Sequence, residues 1–260
     1  MRVARLVLSF LLILSSSPRL NSQQSTAPPQ RDLQALALLA NMTAATGWTQ
    51  VNIPIDAVAN GSVILETPPQ TKTVVFKGRP GRQIRTEFPS QGIVFVINGT
   101  QGKGREATGS QDIAGSTILG TKTFVFPFFT ELVQYNAPDV SVLYLGTETV
   151  AGQLAHRIEL KRPAQWGRPT DVLLEKASRV VVSLSSTSFL PLKIDHFRFS
   201  ERDAGVSLQL SSYLSDFRRV GPLLVPFQLE EFAGQQRLFT LRSASVQLNV
   251  SLSDAEFLIQ

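Results

Sequence analysis

The sequence contains no cysteine, and its 260 residues include only two histidines. The absence of cysteine excludes disulfide bonds, thiolate metal ligands and a cysteine nucleophile. It also excludes a lipid anchor of the bacterial lipoprotein type, which requires a cysteine at the cleavage site. A disulfide-free domain must be held together by its hydrophobic core, and a chain of this length can bury one.

Apolar runs long enough to span a membrane are also missing. The run Leu6–Leu14 has nine residues, follows Arg2 and Arg5, and precedes a small and polar stretch that reaches Ser22. A transmembrane helix needs roughly 20 apolar residues, whereas this three-part layout is that of a secretory signal peptide. We therefore expect a signal peptide over 1–22 that is cleaved near Ser22, with Ser17 as the alternative.

A strong excess of one charge is lacking once the signal peptide is set aside. Removal of residues 1–22, which contain Arg2, Arg5 and Arg19 but no acidic residue, lowers the formal net charge from +5 to +2. The remaining basic residues are scattered along the chain. This balance gives no reason to expect a nucleic-acid partner.

The remaining chain begins with a linker and a helix. Residues 23–30 (QQSTAPPQ) have the composition of a flexible linker, and 31–260 is expected to form a single domain. Asp32 suits the N-cap of a helix over 31–47, and Gly47 suits its end. The apolar stripe of this helix contains Leu33, Leu36, Leu39, Ala40 and Met42.

From residue 61 onward, alternating apolar residues and turn signals indicate a meandering antiparallel sheet. Strands are predicted at 62–67, 71–78, 82–88, 92–98, 101–107, 140–149, 152–161, 178–186, 191–199, 205–215, 224–231, 236–242 and 244–252. The clearest alternation gives two apolar strand faces, formed by Val206, Leu208, Leu210 and Leu214 and by Val246, Leu248, Val250 and Leu252.

Two segments interrupt the strand rhythm. Residues 122–136 are rich in phenylalanine, and Pro127 suits the first turn of a helix better than a central strand, so a short helix is predicted over 127–135. Residues 162–178 read as an additional loop or helix.

Motifs for catalysis and for metal binding are absent from the sequence. His156 lies in phase with apolar neighbours, and His196 follows Asp195 on a strand, where adjacent side chains point to opposite faces. No G-x-S-x-G motif is present, and the glycines around Lys103 lack the helix of a phosphate-binding loop. We expect no enzyme activity, no metal site and no cofactor.

The chain instead has 16 phenylalanines, a one-sided sheet and two apolar helices. A curved sheet with an apolar concave face under helices could hold an acyl chain. Alternatively, the helices complete an ordinary core. The residue pattern alone leaves both interpretations open.

Several short motifs resemble those of the periplasmic lipoprotein carriers of the LolA/LolB-like superfamily, which sort lipoproteins to the outer membrane. The segment from Val74 to Gln101 has the Arg79-Pro80 step and ends its last strand in Asn98-Gly99. Pro127-Phe128-Phe129 resembles the start of a lid helix in those carriers, and GPLLVPF at 221–227 resembles a later strand.

This resemblance implies a mainly β (α+β) fold in which a curved antiparallel sheet forms an incomplete half-barrel. The N-terminal helix and a short lid helix would cover its concave face. Arg79 occupies the position of a lid latch. The implied lining of the apolar cavity consists of Leu36, Leu39, Phe124, Phe126, Phe128, Phe129 and Leu132.

The implied function is that of a soluble, monomeric periplasmic carrier without a lipid anchor, which binds a lipoprotein or another lipid. An inner-membrane donor complex and an outer-membrane acceptor would be its partners. The same superfamily fold also serves stress sensors, so an envelope interaction domain with a self-filled cavity is the alternative.

Overall fold

The computed structural model describes residues 28–66, 68–81, 83–115, 117–118, 127–163, 169–200 and 206–258. The predicted signal peptide lies outside these residues, as does the predicted linker up to residue 27. No helix in these ranges is long and apolar enough to cross a membrane.

The first helix, α1 (Leu33–Thr46), lies where a helix is predicted over 31–47. It begins where the Asp32 side chain accepts a hydrogen bond of 2.9 Å from the Ala35 N–H, and it ends at Gly47, whose φ is +78°. A carboxylate cap satisfies an N–H group that has no partner within the helix. The glycine adopts the left-handed conformation that closes a helix at little cost.

Two shorter helices follow. The apolar segment predicted as a helix over 127–135 contains α2 (Thr130–Val133), which continues as a 3₁₀ turn over Gln134–Asn136. The additional segment at 162–178 contains α3 (Pro169–Ser178).

The described residues form thirteen strands. Their bounds are β1 (Ala57–Glu66), β2 (Pro69–Arg79), β3 (Gln83–Phe88), β4 (Ile93–Asn98), β5 (Gln101–Glu106), β6 (Gly109–Asp112), β7 (Ser141–Val150), β8 (Gln153–Lys161), β9 (Val180–Ser185), β10 (Pro191–Phe199), β11 (Ser207–Val220), β12 (Leu223–Ala233) and β13 (Gln236–Leu248).

These strands form one antiparallel sheet in the order β6-β5-β4-β3-β2-β1-β13-β12-β11-β10-β9-β8-β7. Every pair except β1–β13 joins strands that are consecutive in the chain, which is the meander that the turn signals predict. The sheet is not closed between β6 and β7 in the described part of the chain. This incomplete half-barrel with helices confirms the predicted fold class.

Several strand bounds differ from the predictions, and β11 continues five residues past its predicted end, to Val220. β1 begins five residues earlier than predicted, at Ala57, and β6 was not predicted. The two strands predicted at 236–242 and 244–252 are the single strand β13, which ends at Leu248. The chain then leaves the sheet because Asn249 and Ser251 adopt positive φ, so Val250 is partly exposed rather than on a buried face.

The two faces of the sheet carry different helices. The inner face carries α1, which runs from β7 to β12. At the start of the helix, the Asp32 N–H donates to Val142 O of β7 at 2.9 Å. Just past its end, Trp48 Nε1 donates to Leu224 O of β12 at 2.9 Å. The outer face carries α3, whose end is held by an ion pair of 2.6 Å between Arg179 and Glu159.

The apolar face predicted for residues 206–214 is only half right. Leu210 and Leu214 are buried on the inner face, as predicted. Val206, which precedes β11, and Leu208, near its start, are exposed. Alternation therefore identifies the strand correctly, whereas burial depends on what covers each part of it.

Candidate functional site

The inner face brings α1 and α2 together over a common apolar cluster. Leu39 on α1 and Leu132 on α2 are buried in it, with Phe128 and Phe129 in the turn before α2. The Trp48 ring packs edge-on against both phenylalanines, with centroid distances of 6.5 Å to Phe128 and 5.3 Å to Phe129. Such edge-to-face pairs add specific geometry to the burial of apolar area.

Gly78 on β2 allows a close approach between the lid segment and the sheet. We use the term lid segment for the described residues 127–136, which include α2. A Cβ atom at position 78 would lie 3.0 Å from Cε2 of Phe128. The absence of a side chain therefore lets the Phe128 ring rest directly on the strand.

The structure thus groups most of the cavity residues predicted from the sequence. Leu36 is half-buried and packs against the cluster that contains Leu39, Phe128, Phe129 and Leu132. Phe124 and Phe126 lie outside the described residues.

Sequence reasoning missed a second set of apolar residues on the inner face. These residues are half-buried, lie on β1, β2, β3 and β13, and pack against the main cluster; they are Leu65, Phe76, Phe88 and Phe239. Phe239 pairs directly with Leu65 across β13 and β1. They extend the apolar surface beyond the part that the helices bury.

A buried polar cluster borders this apolar surface. Its buried members are Glu231 on β12, Ser212 on β11 and His196 on β10, and the exposed Arg198 of β10 joins them from the surface. Ser212 Oγ donates to Glu231 Oε2 at 3.1 Å and lies 3.3 Å from His196 Nε2. Arg198 Nη2 lies 3.1 Å from Glu231 Oε1. Glu231 pairs in register with Phe239, so a carboxylate adjoins the half-buried aromatic surface.

The neighbours of Glu231 keep it ionised although it is only 2% exposed. Burial on its own would raise the pKa of this carboxyl group, but His196, Arg198 and Ser212 together hold the pKa below its ordinary value. Hydrogen bonds and opposite charges can outweigh desolvation in this way. The inner face therefore carries an ion pair between Glu231 and Arg198 beside apolar side chains.

The two histidines have the neighbours expected of structural residues. His156 Nδ1 lies 3.1 Å from the hydroxyl of Tyr144. His196 lies on the inner face, whereas Asp195 accepts a hydrogen bond of 2.6 Å from Ser211 Oγ on the outer face. This confirms the prediction that Asp195 and His196 point to opposite faces.

Arg79 lies on the outer face of β2. Its guanidinium donates to Leu252 O and to Asp254 Oδ1, and it lies 5.2 Å from the centroid of the Phe257 ring. Among the described residues, its polar contacts are with Gln83 and with the C-terminal segment, and none is with the lid segment. Sequence reasoning had no signal for these partners, which are more than 170 positions away.

Comparison with solved structures identifies the same architecture elsewhere. A domain named as an outer membrane lipoprotein-sorting protein from Vibrio parahaemolyticus has 14% sequence identity and a TM-score of 0.52, over 86% of this chain and 96% of that one. A LolA superfamily protein from Nitrosomonas europaea has 12% identity and a TM-score of 0.51, over 86% and 97%.

A DUF1329 family protein from Desulfovibrio piger has 15% identity and a TM-score of 0.54, over 86% of this chain and 97% of that one. No family model matches the sequence, and no curated protein matches it. At these identities the similarity is one of fold.

Proposed function

We propose that this chain, which has the fold of the LolA superfamily, is a carrier for the acyl chains of a lipid or lipoprotein. The acyl chains would bind on the inner face under α1 and the lid segment, without catalysis. The observation that carries this proposal is the apolar surface of Leu65, Phe76, Phe88 and Phe239, which continues past the buried core and remains half-exposed.

Loading would begin with movement of the lid segment. In the described conformation Phe128, Phe129 and Leu132 fill the space between α1 and the sheet. An acyl chain could replace these contacts, because each methylene group transferred from water to an apolar site contributes about 0.8 kcal/mol. The ligand would thus compensate for the lost packing of the lid segment, and its departure would allow the lid segment to close.

Cellular location and partners belong to the same proposal. The expected signal peptide directs the chain to the periplasm, where a monomeric carrier would receive its ligand from an inner-membrane donor and deliver it to an outer-membrane acceptor. The similarity to a lipoprotein-sorting domain supports a lipoprotein as the ligand.

A second candidate is an envelope interaction or stress-sensor domain whose inner face is permanently filled by its own side chains. The near-complete burial of Leu39, Phe129 and Leu132 favours it. The two functions differ in whether an added acyl chain binds saturably.

The deciding experiment is a titration of the purified mature protein with a fluorescent fatty acid. Phe239→Ala removes a half-buried ring from the inner face. Phe232→Ala is its matched control, because Phe232 lies on the neighbouring strand, is also half-buried, and packs on Tyr213 of the outer face at 5.2 Å.

We expect saturable binding that Phe239→Ala weakens by about threefold to tenfold, which corresponds to the loss of part of one ring contact. Phe232→Ala should leave the affinity unchanged. Absence of saturable binding would contradict the carrier and favour the self-filled domain. Equal weakening by both variants would contradict the inner face as the binding site.

A further inference from the structure

The C-terminal segment occupies a site on the outer face that is separate from the proposed acyl-binding surface. We call Leu252–Leu258 the strap, and the outer surface of β2, β3 and β4 beneath it the seat. Phe257 of the strap is 2% exposed and packs on Val94 and Val96. These residues form a small apolar cluster apart from the main core.

The seat also supplies three cations that bind the strap. Lys77 Nζ lies 2.7 Å from Glu256 Oε2, and Arg79 forms an ion pair with Asp254. Arg85 Nη1 donates to the backbone carbonyls of Glu256 at 3.0 Å and Leu258 at 3.3 Å. The seat therefore recognises two acidic side chains, one aromatic ring and an irregular stretch of backbone.

Part of this charge arrangement does not depend on the strap. Glu87 of β3 lies 3.2 Å from Lys77 Nζ and 2.5 Å from Arg85 Nε. Burial alone would raise the pKa of Glu87, but hydrogen bonds from Arg85 and Lys77 hold that pKa below its ordinary value. Glu87 thus contacts two of the three cations through bonds that do not involve the strap.

The strap does not fill the available surface. A cavity of about 580 Å³ lies beside Phe257 and Leu258 and is bordered by Val96, Lys103 and Ile113. Lys103 is exposed and pairs in register with Asp112, which also borders this cavity. A second cavity of about 380 Å³ lies between Arg79, Gln83 and Asp254. A longer or bulkier segment of the same chemistry would make more contacts than the strap makes.

The attachment of the strap to the sheet is irregular. Asn249 and Ser251, which precede it, both adopt positive φ, a conformation that residues other than glycine seldom adopt. The only helical turn in the strap is the 3₁₀ turn Asp254–Phe257. Side-chain contacts rather than strand pairing therefore hold the strap in the described structure.

We propose that the seat is a docking site for a polypeptide segment of a partner protein, and that the strap occupies it in the absence of that partner. The partner segment would carry the acidic and aromatic pattern Asp-x-Glu-Phe, because the seat pairs cations with the first and third residues and buries the fourth. Binding would displace the strap, so only a segment that binds the seat more tightly than the strap does would dock. This site does not depend on acyl binding to the inner face.

The test measures binding of a labelled peptide with the sequence of the strap, LSDAEFL, by fluorescence anisotropy. The full chain with Asp254→Lys and Glu256→Lys has a strap that the cations of the seat repel. We expect this variant to bind the peptide at least about tenfold more tightly than the unaltered chain, since its own strap no longer competes. Glu256→Gln, which keeps the shape and removes one ion pair, should give a smaller gain in the same direction.

Two controls locate the interaction. Lys77→Glu, added to the double variant, should abolish the gain, whereas Arg242→Glu should not, because Arg242 is an exposed outer-face cation of β13 away from the seat. The peptide LSDAESL, which lacks the aromatic ring, should bind at least about tenfold more weakly.

Three results would overturn the proposal. The first is a folded double variant or Glu256→Gln variant that binds the peptide no better than the unaltered chain. The second is binding that Arg242→Glu reduces as much as Lys77→Glu does. The third is a stable dimer of the unaltered chain in light scattering that the double variant abolishes, because the strap of a second copy would then be the occupant of the seat.

Discussion

At the scale of single residues, the most informative group is the carboxylate of Glu231. It is buried beside apolar residues of the inner face, and its polar neighbours hold its pKa below the ordinary value. A group whose pKa is lowered by folding stabilises the folded state at pH values above its unfolded pKa. That stabilisation is lost as the pH falls through the folded pKa.

We therefore expect Glu231→Gln to lower the free energy of unfolding by roughly 1–3 kcal/mol at pH 7, because hydrogen bonds to a charged group are lost. This difference should shrink as the pH falls below about 4, since the unfolded carboxyl group has a pKa of about 4.3. Urea unfolding at pH 7, 5, 4 and 3 measures both effects.

Glu230→Gln is the control for this prediction. Glu230 precedes Glu231 on β12, and its Oε1 lies 3.2 Å from Arg237 Nη1 near the surface. A surface pair of this kind contributes about 0–1 kcal/mol. A Glu231→Gln effect that stays constant from pH 7 to pH 3 would contradict the ionised state of Glu231.

At the scale of elements, the end of α1 fixes where the helix meets the sheet. Gly47 has φ of +78°, and a Cβ atom there would lie 2.5 Å from the carbonyl oxygen of Pro222 in the β11–β12 turn. Gly81 in the β2–β3 turn has a similar φ of +67° but has no atom within 4 Å of the corresponding Cβ position. Alanine variants at the two positions therefore allow the cost of backbone strain to be separated from the cost of steric contact.

Gly81→Ala should lower the free energy of unfolding by about 1–2 kcal/mol, the cost of a left-handed alanine. Gly47→Ala should cost roughly 1–3 kcal/mol more, because the backbone of the turn must also shift. Urea unfolding of both variants provides the comparison. Equal losses would show that the contact between α1 and the β11–β12 turn tolerates displacement.

The sequence predicts an element well where the contacts that define its ends lie close together in the chain. Asp32 and Gly47 mark the ends of α1 through contacts within four residues, so the sequence predicts this helix well. β6 consists of Gly109–Asp112, is exposed throughout, and has no apolar alternation to reveal it. The end of β13 depends on Asp56, whose carboxylate accepts from the Val250 and Leu252 N–H groups across 194 and 196 positions.

The same distinction applies to the candidate site. Leu39 and Leu132 follow from apolar patterns in single helices, whereas Phe239 joins them only once the pairing of β13 with β1 is known. The cluster of Glu231, Ser212 and His196 comes from three strands, and no motif in the sequence connects them. Alternation in the sequence predicts which residues share a side of a strand. Which helix covers that side depends on the whole fold.

At the scale of the whole molecule, the pairing of β1 with β13 joins the two halves of the meander. It brings the N-terminal helix to the inner face and leaves the C-terminal strap on the outer face. The fold therefore separates an apolar surface, proposed for acyl chains, from a charged seat, proposed for a polypeptide. Ligand loading and partner docking could then be measured independently.

The most direct test of the proposed acyl carrier is mass spectrometry of the lipid that is extracted from the protein after its purification from cells without detergent. We expect about one lipid or acylated peptide for each protein molecule, and a lower content in the Phe239→Ala variant than in the Phe232→Ala variant. Protein that contains no lipid and takes up none from added vesicles would contradict it.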